Sequence, residues 1–500
     1  MASSRADAAA VAADTTQVTE TASETPNLDR IVARGKMARE ADQQQRARDL
    51  VGEFVHQILD QGMTVSANTM ATLQGRIAEL DKLLSDQVNE ILHHPDLQKL
   101  EASWRGLHFL VKNTETGPKL KLLVLCASRQ EVQKDLVSAS DFDQSQLFKK
   151  IYEEEYGTFG GSPFSVLVGD YEISRSAKDQ VFLAKIAEVA AAAHAPFITG
   201  ADPQLFDMDS FTELGNPRDL AKVFESTELA KWRSFRDSDD SCYVSLVLPH
   251  ILLRLPYGPE NLEVEEFDMI EDTDGSDHSR YLWGNAAWAL AQRITNAFAN
   301  HGWTAAIRGV EGGGKVEGLP THTFKSDEGD IVLKCPTEIA ITDRRENELN
   351  KLGFISLCHC KGTDYAAFFG SQTAHKPKTY DTDAANANAL ISARLPYILA
   401  ASRFAHYLKV ICRDKIGSFQ SQGRLSTVLN SWINQYILAT DEAGQDLKAK
   451  YPLREARIDV SELADRPGAF RAVVFLRPHF QLEELTASIR LVAELPPPAA

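Results

Sequence analysis

Basic side chains are in deficit along this sequence. Lys and Arg number 53 against 70 Asp and Glu, which gives a formal net charge of -17 at pH 7. Nucleic-acid binding requires a basic surface that neutralises phosphates, so this balance argues against a nucleic-acid partner. The same negative charge disfavours contact with anionic membrane surfaces.

Long apolar runs are also missing. No stretch approaches the roughly 18 uninterrupted apolar residues of a transmembrane helix. The first residues are rich in Ala, Ser, Thr and Glu, and they lack the basic region and apolar core of a secretory signal. We therefore expect no direct insertion into a membrane and a cytoplasmic location.

Cysteine is scarce, with six residues in a chain of 500. Most of them lie within apolar segments, which is typical of small buried side chains in a reducing compartment. We expect no disulfide bonds. The positions are Cys126, Cys242, Cys335, Cys358, Cys360 and Cys412.

The length predicts more than one folded unit, because a single core stops growing at roughly 250–300 residues. Apolar residues make up 43% and charged residues 25%, as in ordinary globular proteins. We divide the chain into a disordered tail at 1–26, N-terminal helices and a linker at 27–62, an α/β domain at 63–375, a C-terminal domain at 376–495 and a loose Pro-rich end at 496–500.

Apolar periodicity predicts both helices and strands, hence a mixed α/β (α+β) fold class. Leu and Ile recur at helical spacing from Leu73 to Leu92, and a second helix-rich stretch runs from Ala385 to about Thr440. Short apolar runs bounded by polar residues indicate strands. These are Lys119–Cys126, Ser165–Val168, Cys242–Leu248, Arg454–Val460, Phe470–Leu476 and Ser488–Glu494.

One glycine-rich segment resembles a phosphate-binding P-loop. Gly309 to Lys315 match that motif, but Val316 occupies the place of the Ser or Thr that would bind magnesium. Gly318 and Pro320 interrupt the region where a helix should begin and point its N-terminus at phosphate. A glycine-permitted turn is the favoured interpretation, and a nucleotide-binding enzyme is kept as an alternative.

Cys358-His359-Cys360 could suggest a metal site. In a strand, however, Cys358 and Cys360 share one face while His359 points to the other, and no second pair of ligands lies nearby. A buried strand continuing from Phe354 explains the residues better. Because no nucleophile motif is present either, we predict a protein without cofactor, metal or catalytic residues.

Several short strings occur in an order that is similar to a known family. They are Glu90-Ile91-Leu92-His93-His94-Pro95, Trp104-Arg105-Gly106-Leu107, Gly169-Asp170-Tyr171-Glu172, Arg254-Leu255-Pro256-Tyr257-Gly258, Glu311-Gly312-Gly313-Gly314, Pro336-Thr337-Glu338-Ile339, Ser392-Ala393-Arg394-Leu395-Pro396-Tyr397, Ser402-Arg403-Phe404-Ala405-His406-Tyr407, Arg413-Asp414-Lys415-Ile416-Gly417 and Arg477-Pro478-His479-Phe480-Gln481. Together they resemble the large subunit of the type VI secretion contractile sheath, the TssC/VipB/EvpB family.

The resemblance implies a multi-domain contractile tail-sheath fold and a structural role. It implies a heterodimer with a small TssB/VipA-like sheath subunit, and stacking with neighbouring copies into a helical tubule around an Hcp inner tube. Baseplate contacts and recycling by a Clp-type AAA+ unfoldase belong to the same expectation. The sheath of a related phage-like contractile particle is an alternative.

The resemblance also suggests roles for particular residues. Leu28, Ile31 and Val32, within Asn27 to Ala38, match the unfoldase-binding helix, although this helix could instead pack within the sheath. Inter-subunit strand exchange is expected at Ile458, Val460, Val473, Phe475, Ile489 and Leu491, because exposed strand edges add neighbouring strands. Glu483 and Glu484 could contact the tube, and solvated surface is an equal alternative.

Overall fold

The computed structural model describes residues 40–60, 69–265, 267–273, 275, 277–325, 329, 331–415, 421–440, 442–462, 469–479 and 481. The α-helices are α1 (Ala41–Asp60), α2 (Thr69–Leu92), α3 (Pro95–Lys112), α4 (Arg129–Ser138), α5 (Gln146–Phe148), α6 (Ala177–Ala193), α7 (Leu220–Phe224), α8 (Ala230–Arg236), α9 (Ala287–His301), α10 (Asp343–Lys351), α11 (Asp383–Ser392), α12 (Leu395–Asp414), α13 (Gln422–Ile433) and α14 (Gln445–Lys450). A π-helix spans Lys149–Tyr156.

The strands are β1 (Leu167–Ile173), β2 (Phe197–Ala201), β3 (Val244–Leu248), β4 (Ile251–Leu252), β5 (Trp283–Gly284), β6 (Lys315–Val316), β7 (Thr323–Lys325), β8 (Ile331–Leu333), β9 (Phe354–His359), β10 (Ala366–Phe368), β11 (Leu453–Glu462) and β12 (Phe470–Pro478). Short 3₁₀ turns connect many of these elements, such as Pro203–Phe206 before α7. Helices and strands thus alternate, as predicted for a mixed α/β chain.

The chain divides into two compact units. Of the described residues, those within Met1–Ile91 and Tyr257–Glu271 form the smaller unit, and those within Leu92–Pro256 and Asp272–Ala500 form the larger. In the smaller unit, the amide of Asn89 on α2 donates to the carbonyl of Ile270 at 3.0 Å. The N–H of Ile270 donates to the Ser85 hydroxyl at 3.3 Å. Polar side chains of α2 therefore hold the 257–271 segment.

The larger unit contains a six-stranded sheet in the order β1-β2-β3-β9-β10-β6. The first four strands are parallel, β10 is antiparallel to both β9 and β6, and β6 therefore runs in the same direction as the first four. β3 is buried along its whole length, which explains its continuous apolar run. The predicted strand at Cys242–Leu248 is therefore a central strand.

Helices cover both faces of this sheet, and side chains along each strand alternate between two cores. Leu246 and Leu248 join one core with Phe182 of α6 and Trp232 of α8. Val247 points the other way, into a second core with Leu290 of α9. This alternation follows from the twofold side-chain period of a strand.

The C-terminal part of the larger unit has its own core. β11 and β12 form an antiparallel hairpin in which Ile458 lies opposite Val474. Leu429 and Ile433 of α13 and Phe404 of α12 pack against it. The two predicted strands at Arg454–Val460 and Phe470–Leu476 are thus present, and they belong to one hairpin.

One predicted strand is not found as such. Residues 121–128, within the predicted strand Lys119–Cys126 and just beyond it, carry no assigned secondary structure and pair with no strand among the described residues. A predicted strand at Ser488–Glu494 lies outside the described residues. No helix in the described ranges combines the length and apolar character needed to cross a membrane.

Candidate assembly surfaces

The C-terminal hairpin has one buried and one exposed face. Ile458 and Val460 are 1% and 8% exposed and lie in the core with Phe404 and Leu429. Val473 and Phe475 point to the opposite face and are 58% and 51% exposed. The structure therefore separates the predicted strand-exchange residues into two that hold the hairpin to the body and two that face outward.

The outer edge of β11 is closed by side chains of α13. The N–H of Ile458 donates to Oδ1 of Asn430 at 2.9 Å, and Nδ2 of Asn430 donates to the Ile458 carbonyl at 2.8 Å. Nε2 of Gln422 donates to the Val460 carbonyl at 2.6 Å. These side chains hydrogen-bond to the main-chain groups with which a neighbouring strand would otherwise pair on this edge.

The edge of β12 has no such cover among the described residues, where the sheet holds two strands. Ile458 directs its main-chain groups away from β12, so its partner Val474 directs its own away from β11. The same register places the main-chain N–H of Ala472, opposite Val460, on this open edge. The hairpin can therefore accept a strand beside β12.

The described end of the chain is attached to the body. The N–H of Gln481 donates to the hydroxyl of Tyr397 at 3.2 Å, and its side-chain amide donates to the Ala305 carbonyl at 2.9 Å. These bonds fix the point from which the last segment departs. The predicted contacts at Glu483, Glu484, Ile489 and Leu491 lie outside the described residues, as do Leu28, Ile31 and Val32.

The glycine-rich segment does not form a P-loop. Gly309 donates its N–H to the Phe368 carbonyl at 2.7 Å, and Gly314 donates to Gly309 at 2.8 Å. The segment continues into strand β6 rather than into a helix. Nζ of Lys315 pairs with Glu317 and lies 4.4 Å from the ring centroid of Tyr365. The main chain thus closes on β10, and the lysine is engaged nearby.

Glycine is required here by close packing. Gly313 has a positive φ of 91°, and a Cβ at this position would lie 2.3 Å from the Ala306 carbonyl oxygen. A left-handed backbone at this distance excludes any larger residue. The segment is a tight turn of the body, as the favoured interpretation of the sequence predicted.

The Cys358-His359-Cys360 segment ends strand β9. Cys358 is buried, and burial raises the pKa of its thiol to about 12. His359 contacts the Thr363 carbonyl at 3.0 Å through Nε2. Among the described residues, no group of three or more His, Cys, Asp or Glu side chains is arranged to hold a metal ion.

Helix α2 carries an exposed apolar stripe. Its members recur at spacings of three or four residues, or seven at the last step: Leu73, Ile77, Leu80, Leu84 and Ile91. They are 38% to 60% exposed, whereas Arg76, Ser85 and Asn89 on the same helix are buried. A soluble helix normally has the reverse arrangement. An exposed apolar face of this kind marks an interaction surface.

A second exposed apolar segment precedes α4. Leu123, Val124 and Leu125 are 67%, 68% and 56% exposed. Three large apolar side chains in succession place apolar surface on both faces of an extended chain. This segment is therefore a further candidate contact.

A charged cluster lies at the carboxyl end of β3. Nδ1 of His250 is 2.5 Å from Glu338, and its Nε2 is 2.9 Å from Glu172. Ser210 donates to Glu338 at 2.6 Å. Burial opposes a charge on His250, but its hydrogen bonds to the two carboxylates outweigh burial and raise its pKa to about 10. The cluster ties β1 to the loops after β3 and β8.

Sequence reasoning missed the His250 cluster and the Asn430 bonds. Glu172 and His250 are 78 positions apart, and Asn430 and Ile458 are 28 apart. No short spacing in the sequence signals such contacts. The apolar α2 stripe, in contrast, was visible as helical periodicity, although its exposure was not.

Comparison with known proteins provides the remaining evidence. The sequence model described as EvpB/VC_A0108, tail sheath N-terminal domain, matches residues 74–375. The one described as EvpB/VC_A0108, tail sheath gpW/gp25-like domain, matches residues 384–495. Type VI secretion system sheath protein TssC1 of Pseudomonas aeruginosa PAO1 is 49% identical over 459 residues, covering 90% of this chain and 92% of that protein.

Solved structures of contractile particles show weaker likeness. A chain of the anti-feeding prophage baseplate aligns with a TM-score of 0.35 and 11% identity, covering 63% of this chain and 66% of that one. A chain of the contracted PVC sheath complex, from an extracellular contractile injection system, aligns with a TM-score of 0.33 and 8% identity. The alignment covers 61% of this chain and 68% of that one. These TM-scores lie below 0.5, so the assignment rests on the sequence matches. The chain belongs to the EvpB/VC_A0108 tail sheath family.

Proposed function

We propose that this chain is the large subunit of a type VI secretion contractile sheath. It co-assembles with a small sheath subunit and with copies of itself into a helical tubule around an Hcp tube. Contraction of the tubule propels the tube and its effectors out of the cell. The 49% identity to the sheath protein TssC1 supports the assignment to type VI secretion, and the open β12 edge supports assembly by strand addition.

The β12 edge is the observation that carries the proposal. β11 is held by α13 and cannot receive a strand, whereas β12 presents its main-chain groups outward and exposes Val473 and Phe475 beside them. A strand from a neighbouring subunit would gain main-chain hydrogen bonds and apolar contacts at once. Ile489 and Leu491 belong to the predicted strand that this chain would give to a neighbour in return.

Linked strands of this kind fit a sheath that changes its packing. Each hairpin stays attached to its own body through Ile458 and Val460, while the bodies rotate into a tighter lattice during contraction. The work comes from the packing, so the protein needs no enzymatic activity or cofactor. We propose that the assembly forms in the cytoplasm on a baseplate.

Recycling belongs to the same proposal. Leu28, Ile31 and Val32 supply apolar positions at i, i+3 and i+4, the spacing with which a helix fills a groove. A Clp-type AAA+ unfoldase would bind this segment in the contracted sheath. Glu483 and Glu484 would contact basic groups on the tube, and ordinary solvated surface is the alternative role for these acidic side chains.

The test is co-expression with the small sheath subunit, followed by electron microscopy and sedimentation. We expect long hollow tubules from the unchanged chain. Ala472→Pro removes an outward N–H on an exposed edge position, where proline is tolerated, and should prevent tubules while the chain stays folded. Ala472→Ser keeps the N–H and serves as the matched control.

Two results would count against the proposal in different ways. If the unchanged pair gives only a stable monomer or heterodimer, the sheath function is wrong for this chain. If Ala472→Pro gives normal tubules, the function stands and the β12 edge is not where neighbours join.

A further inference from the structure

The segment Lys121–Cys126 has the sequence of a strand but lacks a strand partner. Among the described residues, its main-chain groups make no hydrogen bond, although the residues on either side do. Leu120 bonds to Gly117, and the Ala127 carbonyl accepts from the Tyr171 hydroxyl at 2.9 Å. It exposes Leu123, Val124 and Leu125 as one run. Stable sheets bury such runs in their interior rather than at a free edge.

Both ends of the segment are held in place. Leu122 is half-buried and packs against the cluster formed by Leu110 and Trp288. At the other end, Ser128 and Glu131 form a capping box that begins α4. The segment is therefore fixed in position before any partner arrives, which lowers the conformational cost of binding.

The segment also passes the outermost strand of the central sheet. Leu122 shares its cluster with Val168 of β1, and Ala127 packs with Tyr171 in the core on the opposite face. β1 is paired only with β2 among the described strands. The unpartnered segment and the open side of β1 are thus close together in the larger unit.

The unpaired main chain defines the kind of partner. Any protein that covers Leu123, Val124 and Leu125 also removes water from the amide and carbonyl groups of the same residues. Buried main-chain groups without hydrogen bonds are costly, so the partner must supply main-chain donors and acceptors. An extended strand offers such groups along its whole length. A helix does not, because its main-chain donors and acceptors are already bonded to one another within the helix.

Charge argues against β12 of a second copy as that partner, and the predicted strand Ser488–Glu494 is already assigned to the β12 edge of a neighbour in the proposed function. Strand β12 carries Arg471 and Arg477 on the exposed face, and the receiving segment begins at Lys121, with Lys119 two residues before it. Like charges on adjacent strands are destabilising. A strand that is apolar over about six residues, with an acidic side chain near Lys121, fits better.

We propose that Lys121–Cys126 receives such an apolar β-strand from the small sheath subunit, paired through the main chain. The identity of the partner rests on the proposed function, whereas the need for a strand follows from the segment itself. Because Leu123 and Leu125 face one side and Val124 the other, the incoming strand belongs to a folded domain that covers both faces.

Hydrogen exchange on the full chain, alone and co-assembled with the small subunit, tests the main-chain pairing. Amides of Leu122–Cys126 should exchange rapidly in the isolated chain and at least about 100-fold more slowly in the assembly, as expected for a stable ladder. Unchanged exchange in the assembled state would overturn the proposal, because a partner that only covers side chains leaves these amides without protection.

Substitution gives an independent readout. Val124→Asp should lower recovery of the co-purified heterodimer at least about tenfold, because a buried carboxylate would enter the new interface. Val137→Asp on α4 is the matched control, since Val137 is also exposed, at 55%. Both variants should keep the melting temperature of the isolated chain.

The outcomes separate this proposal from the sheath function. If the unchanged pair forms tubules and Val124→Asp pairs as well as Val137→Asp, the strand site is wrong and the sheath function stands. If the unchanged pair does not associate, the sheath function fails, and exchange data on the isolated chain still show whether the segment is unpaired.

Discussion

His250 holds a positive charge between two carboxylates, and this makes stability depend on pH. Its pKa rises from an ordinary value of 6.5 to about 10 in the folded chain, because the bonds to Glu172 and Glu338 outweigh burial. A raised pKa stabilises the fold fully below about pH 6.5, and this contribution disappears as pH rises toward about 10.

The carboxylates act in the opposite direction. Burial is the largest influence on the pKa of Glu338 and raises it, but the hydrogen bond to His250, the charge of His250 and the hydrogen bond from Ser210 together lower the net pKa. Its contribution is present above the ordinary value of 4.5 and is lost as pH falls below it. The cluster should therefore stabilise the fold most between about pH 4.5 and 6.5.

We predict that His250→Gln lowers the free energy of unfolding by about 1–3 kcal/mol at pH 6, since charged hydrogen bonds are lost. The difference from the unchanged chain should shrink as pH rises to 10. Urea unfolding at pH 6, 8 and 10 measures it. His301→Gln is the control, because His301 is the last residue of α9 and takes no part in the hydrogen bonds of this cluster. A constant difference across this range would contradict the assignment.

At the level of single residues, the sequence could predict the local secondary structure but not the contacts between residues far apart in the chain. The alternation of Ile458, Val460, Val473 and Phe475 identified them as strand positions, but it could not show which would face α13. That choice depends on Phe404 and Leu429, which reach the hairpin only through the fold. The His250 cluster depends in the same way on three separate loops and strands.

The hairpin and helix α13 form one element whose stability depends on Asn430. Both main-chain groups of Ile458 bond to this side chain, and Ile458 itself is buried. Asn430→Ala would leave a buried N–H and a buried carbonyl without partners. We predict a loss of about 1–3 kcal/mol in the free energy of unfolding.

The measurement is urea unfolding combined with hydrogen exchange at Ile458, whose amide should exchange faster in the variant. Asn300→Ala is the matched control, because Asn300 is exposed and its side-chain amide donates to Asn296, one turn earlier in the same helix, at 3.1 Å. If the two variants lose equal stability, Asn430 does not hold the edge of β11.

Other elements show where a local pattern is insufficient. The predicted strand at Lys119–Cys126 was inferred from an apolar run, but a strand also needs a lateral partner, and none lies among the described residues. The P-loop pattern in Gly309 to Lys315 likewise records glycine positions without their dihedral angles. Gly313 uses its freedom to approach Ala306, not to cradle phosphate.

At the level of the whole molecule, the ordered family strings predicted more than any single chemical motif. The family and the mixed α/β fold class are confirmed. The proposed domain boundaries and the roles of Leu28, Ile31, Val32, Glu483 and Glu484 stay predictions. Contacts between chains cannot be read from one sequence, because their energy is gained only on assembly.

The apolar stripe of α2 makes a prediction about the isolated chain and its assembly. Ile77 and Leu84 are 56% and 49% exposed, so replacing both with Glu costs little of the chain's own packing. We expect Ile77→Glu with Leu84→Glu to raise the solubility of the isolated chain several-fold. The free energy of unfolding should change by less than about 0.5 kcal/mol.

The same double substitution should reduce tubule formation with the small subunit, because the stripe is an interaction surface. Gln74→Glu with Gln87→Glu adds the same charge at exposed polar positions of α2, and this separates apolar contact from net charge. Equal solubility and equal assembly in the two double variants would mean that charge alone was responsible. Unfolding of the Ile77/Leu84 variant would instead place the stripe in the subunit's own core, contrary to the exposure of its side chains in the structure.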